Sequence, residues 1–448
     1  MQFIGIDLGS TSIKGAVLNV ESRSLGPVRS VACPPPRGGL PTGHFAIDPR
    51  QVMQVTRDLL DRLLDDVEEC GGLLCCTQMG GVILAQPNGD PASDYLSWRD
   101  ERTLQAGGGA GESSHGRLLT LLGEDVRAEL GHECKPGSAL SLLYWLREHG
   151  DLPDGLIPLS LGDLVLSQLC GSPPVCHPTT ALGTLDVEHS CWHAEAIQRA
   201  GLSQLRWPQL AGRTFEPFGD FTHRGRGIPC YPAVGDHQAA LLGTGLRLGE
   251  LSVNVSTGSQ VSRIVRAYRA GDYQVRPWFD GDWLSTLTHL PAGRSLNVLV
   301  DLLTELSRES GQVIADPWPI IARLAEAEAG GLEADLAFFA GPMGERGSIR
   351  NIGVTNLTVG SLFRAAFDNM ADNYRRCADR LCPEGVEGRG VLSGGLVQRL
   401  PQLRRLIEAQ LGIECRYSTC EEETLTGLLT LARVAAGLDG SVEAAART

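Results

Sequence analysis

The chain has 448 residues, 42% of them apolar and 21% charged, the make-up of a globular protein long enough for two hydrophobic cores. Lys and Arg number 39 against 53 Asp and Glu, a net charge of −14, and lysine occurs only at Lys14 and Lys135, so no basic run offers nucleic acid or an anionic membrane a surface. No apolar stretch reaches the roughly 18 residues of a membrane span and no basic-then-apolar leader opens the chain, so a cytoplasmic protein is expected.

QFIGIDL over 2–8 reads as a buried strand, Gly9-Ser10-Thr11-Ser12 as the tip of a turn, and 13–20 as the returning strand. The Pro- and Gly-rich run 33–49 is loop. It ends at Asp48, which caps a helix opening at Pro49 and carrying Val52, Val55, Leu59, Leu60 and Leu63 at helical spacing. Short strands are expected over 73–76 and 81–85, either side of a Gln78-Met79-Gly80 turn. Gly107, Gly108, Gly109 and Gly111 mark a loop after Trp98-Arg99-Asp100. An apolar helix spans 138–148, and a strand over 228–234 runs into a helix opened by Gly235-Asp236. A second strand–turn–strand occupies 251–265 around Ser256-Thr257-Gly258-Ser259. A long amphipathic helix over 361–381, a strand over 390–395 ending in Gly394-Gly395, and a helix from near Pro401 complete the pattern. The thirteen cysteines include no C-x-x-C pair and read as reduced core thiols rather than zinc ligands.

Two strand–turn–strand units, one in each half, suggest a duplicated architecture with domains over 1–245 and 246–448. At the first tip, backbone N–H groups and the hydroxyls of Ser10, Thr11 and Ser12 suit phosphate oxygens, and Asp7 at the end of the preceding strand suits a water of Mg²⁺. The same residues also suit an ordinary hairpin. Thr257, Gly258 and Ser259 repeat the device; neither tip is a Walker loop. Asp236 stands where a strand gives way to a helix, placed either to accept a proton from a substrate hydroxyl or merely to cap the helix. Gly394 and Gly395 allow a flat ring such as adenine close to the backbone, or simply tight packing. Gln78, Met79, Trp98, Asp100 and Arg102 combine amide, carboxylate and aromatic surface as sugar sites do, or form a surface loop with an ion pair.

In order along the chain, Ile6-Asp7-Leu8-Gly9-Ser10-Thr11-Ser12, Gln78-Met79, Trp98-Arg99-Asp100-Glu101-Arg102, Gly235-Asp236-His237-Gln238, Ser256-Thr257-Gly258-Ser259, Gly344-Glu345-Arg346 and Ser393-Gly394-Gly395 resemble the FGGY carbohydrate kinases. The resemblance implies an α/β, two-domain actin-like ATPase (ribonuclease H-like) fold with a central cleft. It implies an enzyme that uses ATP and Mg²⁺ to phosphorylate a sugar and leaves a homodimer open. By it Asp236 is the catalytic base, Asp7 belongs to the metal–phosphate site, and Gly9, Ser10, Thr11, Ser12, Thr257, Gly258, Ser259, Gly394 and Gly395 surround ATP. Gln78, Met79, Trp98, Asp100, Arg102 and Asp236 would surround the sugar, held in the N-terminal lobe, with the lobes closing over the substrates. The run from Gly344 to Ile349 and Asn356-Leu357-Thr358 look most similar to the sedoheptulokinase branch. The chain departs from the family pattern at Gly80, where a histidine is usual, and at the stretch holding Ser141, where a lysine is usual. The residues also leave open a kinase of another ketose or polyol, or a non-catalytic actin-like sugar sensor.

Overall fold

Strand Gln2–Leu8 lies inside a sheet, paired at both edges, with Phe3, Ile4, Ile6 and Leu8 all buried. It pairs antiparallel with Ser12–Asn19, which returns from the turn at Gly9, and parallel with Cys70–Thr77. Cys70–Thr77 in turn runs parallel to Arg226–Cys230 and then to Val234–Gly235. The expected single strand over 228–234 is thus two strands, broken at Tyr231-Pro232-Ala233, where proline has no N–H for the ladder. Gly219–His223 closes that edge and Ser24–Leu25 extends the other. Helices Pro49–Leu64 and Leu161–Cys170 bury Val52, Leu59, Leu60, Leu63 and Leu164 against Ile4, Ile6 and Leu8. Asp48 caps the first helix through Arg50 N–H.

In this computed structural model, residues 1–105, 111–212, 215–327, 331–386 and 388–447 are described, so the Gly107-Gly108-Gly109 part of the expected loop lies outside them. The chain divides into two compact units, Met1–Arg247 with Arg266–Leu284 and Cys420–Thr448, and Leu248–Val265 with Ser285–Thr419. The first break falls between Arg247 and Leu248. The return of two later segments to the first unit is a matter of long-range packing, which no local pattern marks. In the larger of these, helix Glu423–Ala435 packs on helix Asp236–Gly243 with glycines at the crossing. A Cβ at Gly427 would stand 1.8 Å from the Ala239 carbonyl oxygen, and one at Gly243 1.8 Å from that of Glu423.

The second unit repeats the topology of the first. Leu251–Val255 pairs antiparallel with Ser259–Val265 and parallel with Gly390–Ser393, which runs parallel to Cys415–Tyr417. Helix Val359–Leu381 buries Phe363, Phe367, Met370 and Tyr374 in the core of this unit. All thirteen cysteines are free thiols, and no helix among the described residues is long and apolar enough to cross a membrane.

Candidate active site

Strand register assembles the site in the first unit. Asp7 lies beside Cys76, which lies beside Val234; one residue on, Leu8, Thr77 and Gly235 stand in a row. All three strands run in the same direction, so Asp7, Gln78 and Asp236 emerge at one edge, the carboxyl end of parallel strands where open α/β sheets bind ligands. Asp236 is the first residue of its helix and Gly235 the N-cap. Gly235 N–H donates to Thr179 Oγ1 at 3.0 Å, and that hydroxyl lies 2.8 Å from His177 Nδ1. The segment around Pro178 thereby fixes the entry to the helix that Asp236 opens.

Burial, with the Asp7 carboxylate nearby, pushes the Asp236 carboxyl up to about 7. Burial also raises Asp7, against the opposing hydrogen bond from Thr424. Thr424 Oγ1 donates to Asp7 Oδ2 at 2.7 Å, whereas Asp7 Oδ1 is buried with no partner among the described residues. Lys14 holds Glu422 through both carboxylate oxygens, at 2.9 and 2.8 Å, tying the first hairpin to the same C-terminal segment. Ser10 and Ser12 are half-buried and Thr11 exposed at the tip.

Gln78 is 2% exposed, and neither its amide nitrogen nor its oxygen has a partner among the described residues. Such a group is costly to bury unless something else completes it. The Met79 sulfur and Gln238 Oε1 crowd the face of Gly235, 2.9 and 2.7 Å from a Cβ placed there. Trp98 is 42% exposed. Asp100 and Arg102 are buried and bound to each other. The Asp100 carboxylate receives Arg102 Nε and Nη2, both at 2.8 Å, Arg102 N–H at 2.9 Å and Phe45 N–H at 2.7 Å. Arg102 also lies over the Trp145 ring, 4.9 Å from its centroid. With those bonds made, the pair braces the loop, while Trp98 keeps exposed surface and Gln78 keeps buried amide atoms without partners among the described residues.

Gly80 explains its own departure from the family pattern. Its φ is +80°, and a Cβ would stand 3.0 Å from Trp98 Cβ and 3.3 Å from the Gly137 carbonyl oxygen. The turn is held by Tyr95 Oη donating to Gly80 O at 3.1 Å and Gly81 N–H to Gly137 O at 2.8 Å. Gly80→His is therefore expected to destabilise the fold by about 1–2 kcal/mol, which thermal melting checks.

In the second unit the tip of the hairpin, Gly394 and a helix start come together. Gly394, at φ +94°, would place a Cβ 2.5 Å from Val255 O and 2.7 Å from Ser256 Oγ. Asn254 Nδ2 donates to Ser393 Oγ at 2.9 Å, and Ser256 Oγ donates to Asn254 Oδ1 at 2.7 Å. Gly293 N–H donates to Ser256 O at 3.1 Å and Arg294 N–H to Thr257 O at 2.8 Å, seating helix Gly293–Glu309 on the tip. Thr257 and Gly258 are exposed, and a Cβ at Gly395 would meet open space. Ser259, by contrast, is 1% exposed, its hydroxyl 2.7 Å from Tyr374 Oη, because strand alternation turns it into the core.

Residues absent from the motif reading also build the site. Thr179 lies in a stretch without a distinctive pattern, and Thr424 and Gly427 belong to a segment far away in sequence. Only an apolar helix with a glycine in its middle, Glu423–Ala435, hints at a close crossing.

Solved structures place the fold. A xyloylose kinase from Brucella ovis superposes with a TM-score of 0.83 at 19% identity, over 99% of this chain and 92% of that one. Plasmodium falciparum glycerol kinase with ADP superposes with a TM-score of 0.82 at 15% identity, over 100% and 92%. The chain has the actin-like ATPase fold of the sugar kinases, as its motifs led one to expect. In sequence it is similar to the sedoheptulokinase of Mus musculus, 22% identical over 459 residues, spanning 90% of this chain and 92% of that protein. The resemblance to FGGY-type carbohydrate kinases is thus met in sequence and in fold. No protein-family model matches the chain.

Proposed function

We propose that this chain is an ATP-dependent carbohydrate kinase that moves the γ-phosphoryl of Mg·ATP to a hydroxyl of sedoheptulose, giving sedoheptulose 7-phosphate. The observation that carries the kinase reading is the row formed at the strand ends: Asp236 with a raised pKa, Asp7 with a free buried oxygen, and the uncompleted Gln78 amide. The sugar is named from the likeness to the mouse sedoheptulokinase. The likeness to a xyloylose kinase favours, as a second reading, a ketopentose at the same site.

Asp236 accepts the proton of the reacting hydroxyl as the phosphoryl group arrives, a role worth roughly 10²–10⁴-fold. Gln78 offers its amide N–H donors and its carbonyl oxygen to sugar hydroxyls, and Trp98 an apolar face. Within the first unit the tip at Ser10-Thr11, and within the second the tip at Thr257-Gly258 beside Gly394 and Gly395, each carry backbone N–H groups of a kind that suits phosphate oxygens. Among the described residues no group of three or more His, Cys, Asp or Glu is placed to hold a metal ion. The lone oxygen of Asp7 fits Mg²⁺ that arrives on the nucleotide phosphates and keeps most of its waters. When bound, the ion neutralises charge on the phosphates.

The test is a coupled ADP-release assay across ketoheptoses, ketopentoses, ketohexoses and polyols. Release fastest with sedoheptulose supports the proposal. Release only with another sugar overturns the substrate, and sugar binding without release identifies a sensor instead. Since Asp236 works as a base only when ionised, kcat/KM for the sugar is expected to rise with pH and level off above an inflection near 7. A flat pH–rate profile from 5.5 to 8.5 would count against the assignment.

A further inference from the structure

Three buried side chains of the first unit form a chain that the reaction above does not use. Glu133, Arg276 and His237 are 4%, 7% and 7% exposed. Arg276 Nε donates to Glu133 Oε1 at 2.6 Å, and Arg276 Nη1 donates to His237 Nδ1 at 2.8 Å. A guanidinium can only donate and keeps its proton in proteins. His237 Nδ1 is therefore the lone-pair nitrogen, and the proton of the neutral ring sits on Nε2. Burial and the charge of Arg276 hold that ring neutral, its pKa well below the usual histidine range. Nε2 itself is buried and has no hydrogen-bond partner among the described residues, one residue after Asp236 in the same helical turn. A donor that is fixed, desolvated and unanswered is costly to leave so, and a ligand oxygen would satisfy it.

We propose that Arg276, anchored by Glu133, is a positioning residue that fixes His237 as an obligate Nε2–H donor to an oxygen of the acceptor sugar. The inference rests on the reading of this site as a sugar site. It assigns His237 a direction: the ring gives a hydrogen bond and takes none, and it does not compete with Asp236 for the substrate proton. A sugar with an oxygen at the matching carbon is thereby preferred over its deoxy analogue.

Two measurements test it. In ¹⁵N-histidine NMR of the substrate-free protein, His237 is expected as the Nε2–H tautomer; an Nδ1–H tautomer or an imidazolium would overturn the clamp. In kinetics, Glu133→Gln with Arg276→Met removes the clamp without stranding a buried carboxylate. This double variant is expected to raise the sugar KM roughly 10-fold while the ATP KM holds. His237→Ala is expected to do the same, and adding it to the double variant should bring no further loss. An unchanged sugar KM in folded His237→Ala, or equal shifts in both KM values, overturns the proposal even where the double variant fails to fold. Absence of any sugar turnover in the wild type would instead sink the kinase reading, an outcome the NMR result does not depend on.

Discussion

Asp236→Asn is expected to lower turnover by roughly 10²-fold or more while sugar binding persists. The substitution keeps the size of the side chain and the first turn of helix Asp236–Gly243. It removes a carboxylate whose pKa burial has pushed up to about 7. A carboxyl with an ordinary pKa would be a poorer proton acceptor, and burial beside Asp7 is what lifts it. The amide has no basic lone pair to offer, so loss should appear in kcat rather than in the sugar dissociation constant. Steady-state kinetics alongside calorimetric sugar titration separate the two. A variant turning over within a fewfold of wild type would remove Asp236 from the base role.

Gly427→Val is expected to lower both stability and turnover. At this crossing the neighbour of a new Cβ is backbone, the Ala239 carbonyl, and the opposing Gly243 leaves no slack. Overpacking of this kind costs about 1–3 kcal/mol, which for a unit of this size means a melting point several degrees lower. The helix pushed aside carries Asp236 at its start, and a displacement of about 1 Å at a reacting group can cost roughly 10²-fold in rate. Thermal melting and kcat on the same preparation check both. A wild-type melting point with wild-type kcat would show that the two helices do not meet as described.

Much of this site was legible along the chain because it is local. Hairpin tips, the Gly235-Asp236 helix start and the Gly394-Gly395 crossover each announce themselves within a few residues, through glycine, hydroxyl and carboxylate chemistry at strand ends. What the pattern did not carry is direction. Asp100, Arg102 and Ser259 were expected to face ligands, but hydrogen bonds spend Asp100 on Arg102 and bring Ser259 to Tyr374. Only tertiary packing decides which way such side chains turn. The strand expected over 228–234 failed at Pro232 for a local reason that the ladder makes plain. The partners Thr424, Gly427 and Arg276 lie far from their contacts in sequence and have no motif of their own.

The bond from Thr424 to Asp7 has a consequence for biosynthesis. A ribosome releases strand Gln2–Leu8 early and helix Glu423–Ala435 only after every residue of the second unit. Until then the carboxylate at the head of the chain lacks its hydroxyl donor, and the helix bearing Asp236 lacks the surface it rests on. A nascent chain halted before residue 420 would hold most of the sheet yet not the finished constellation, so the complete site should arrive late and all at once.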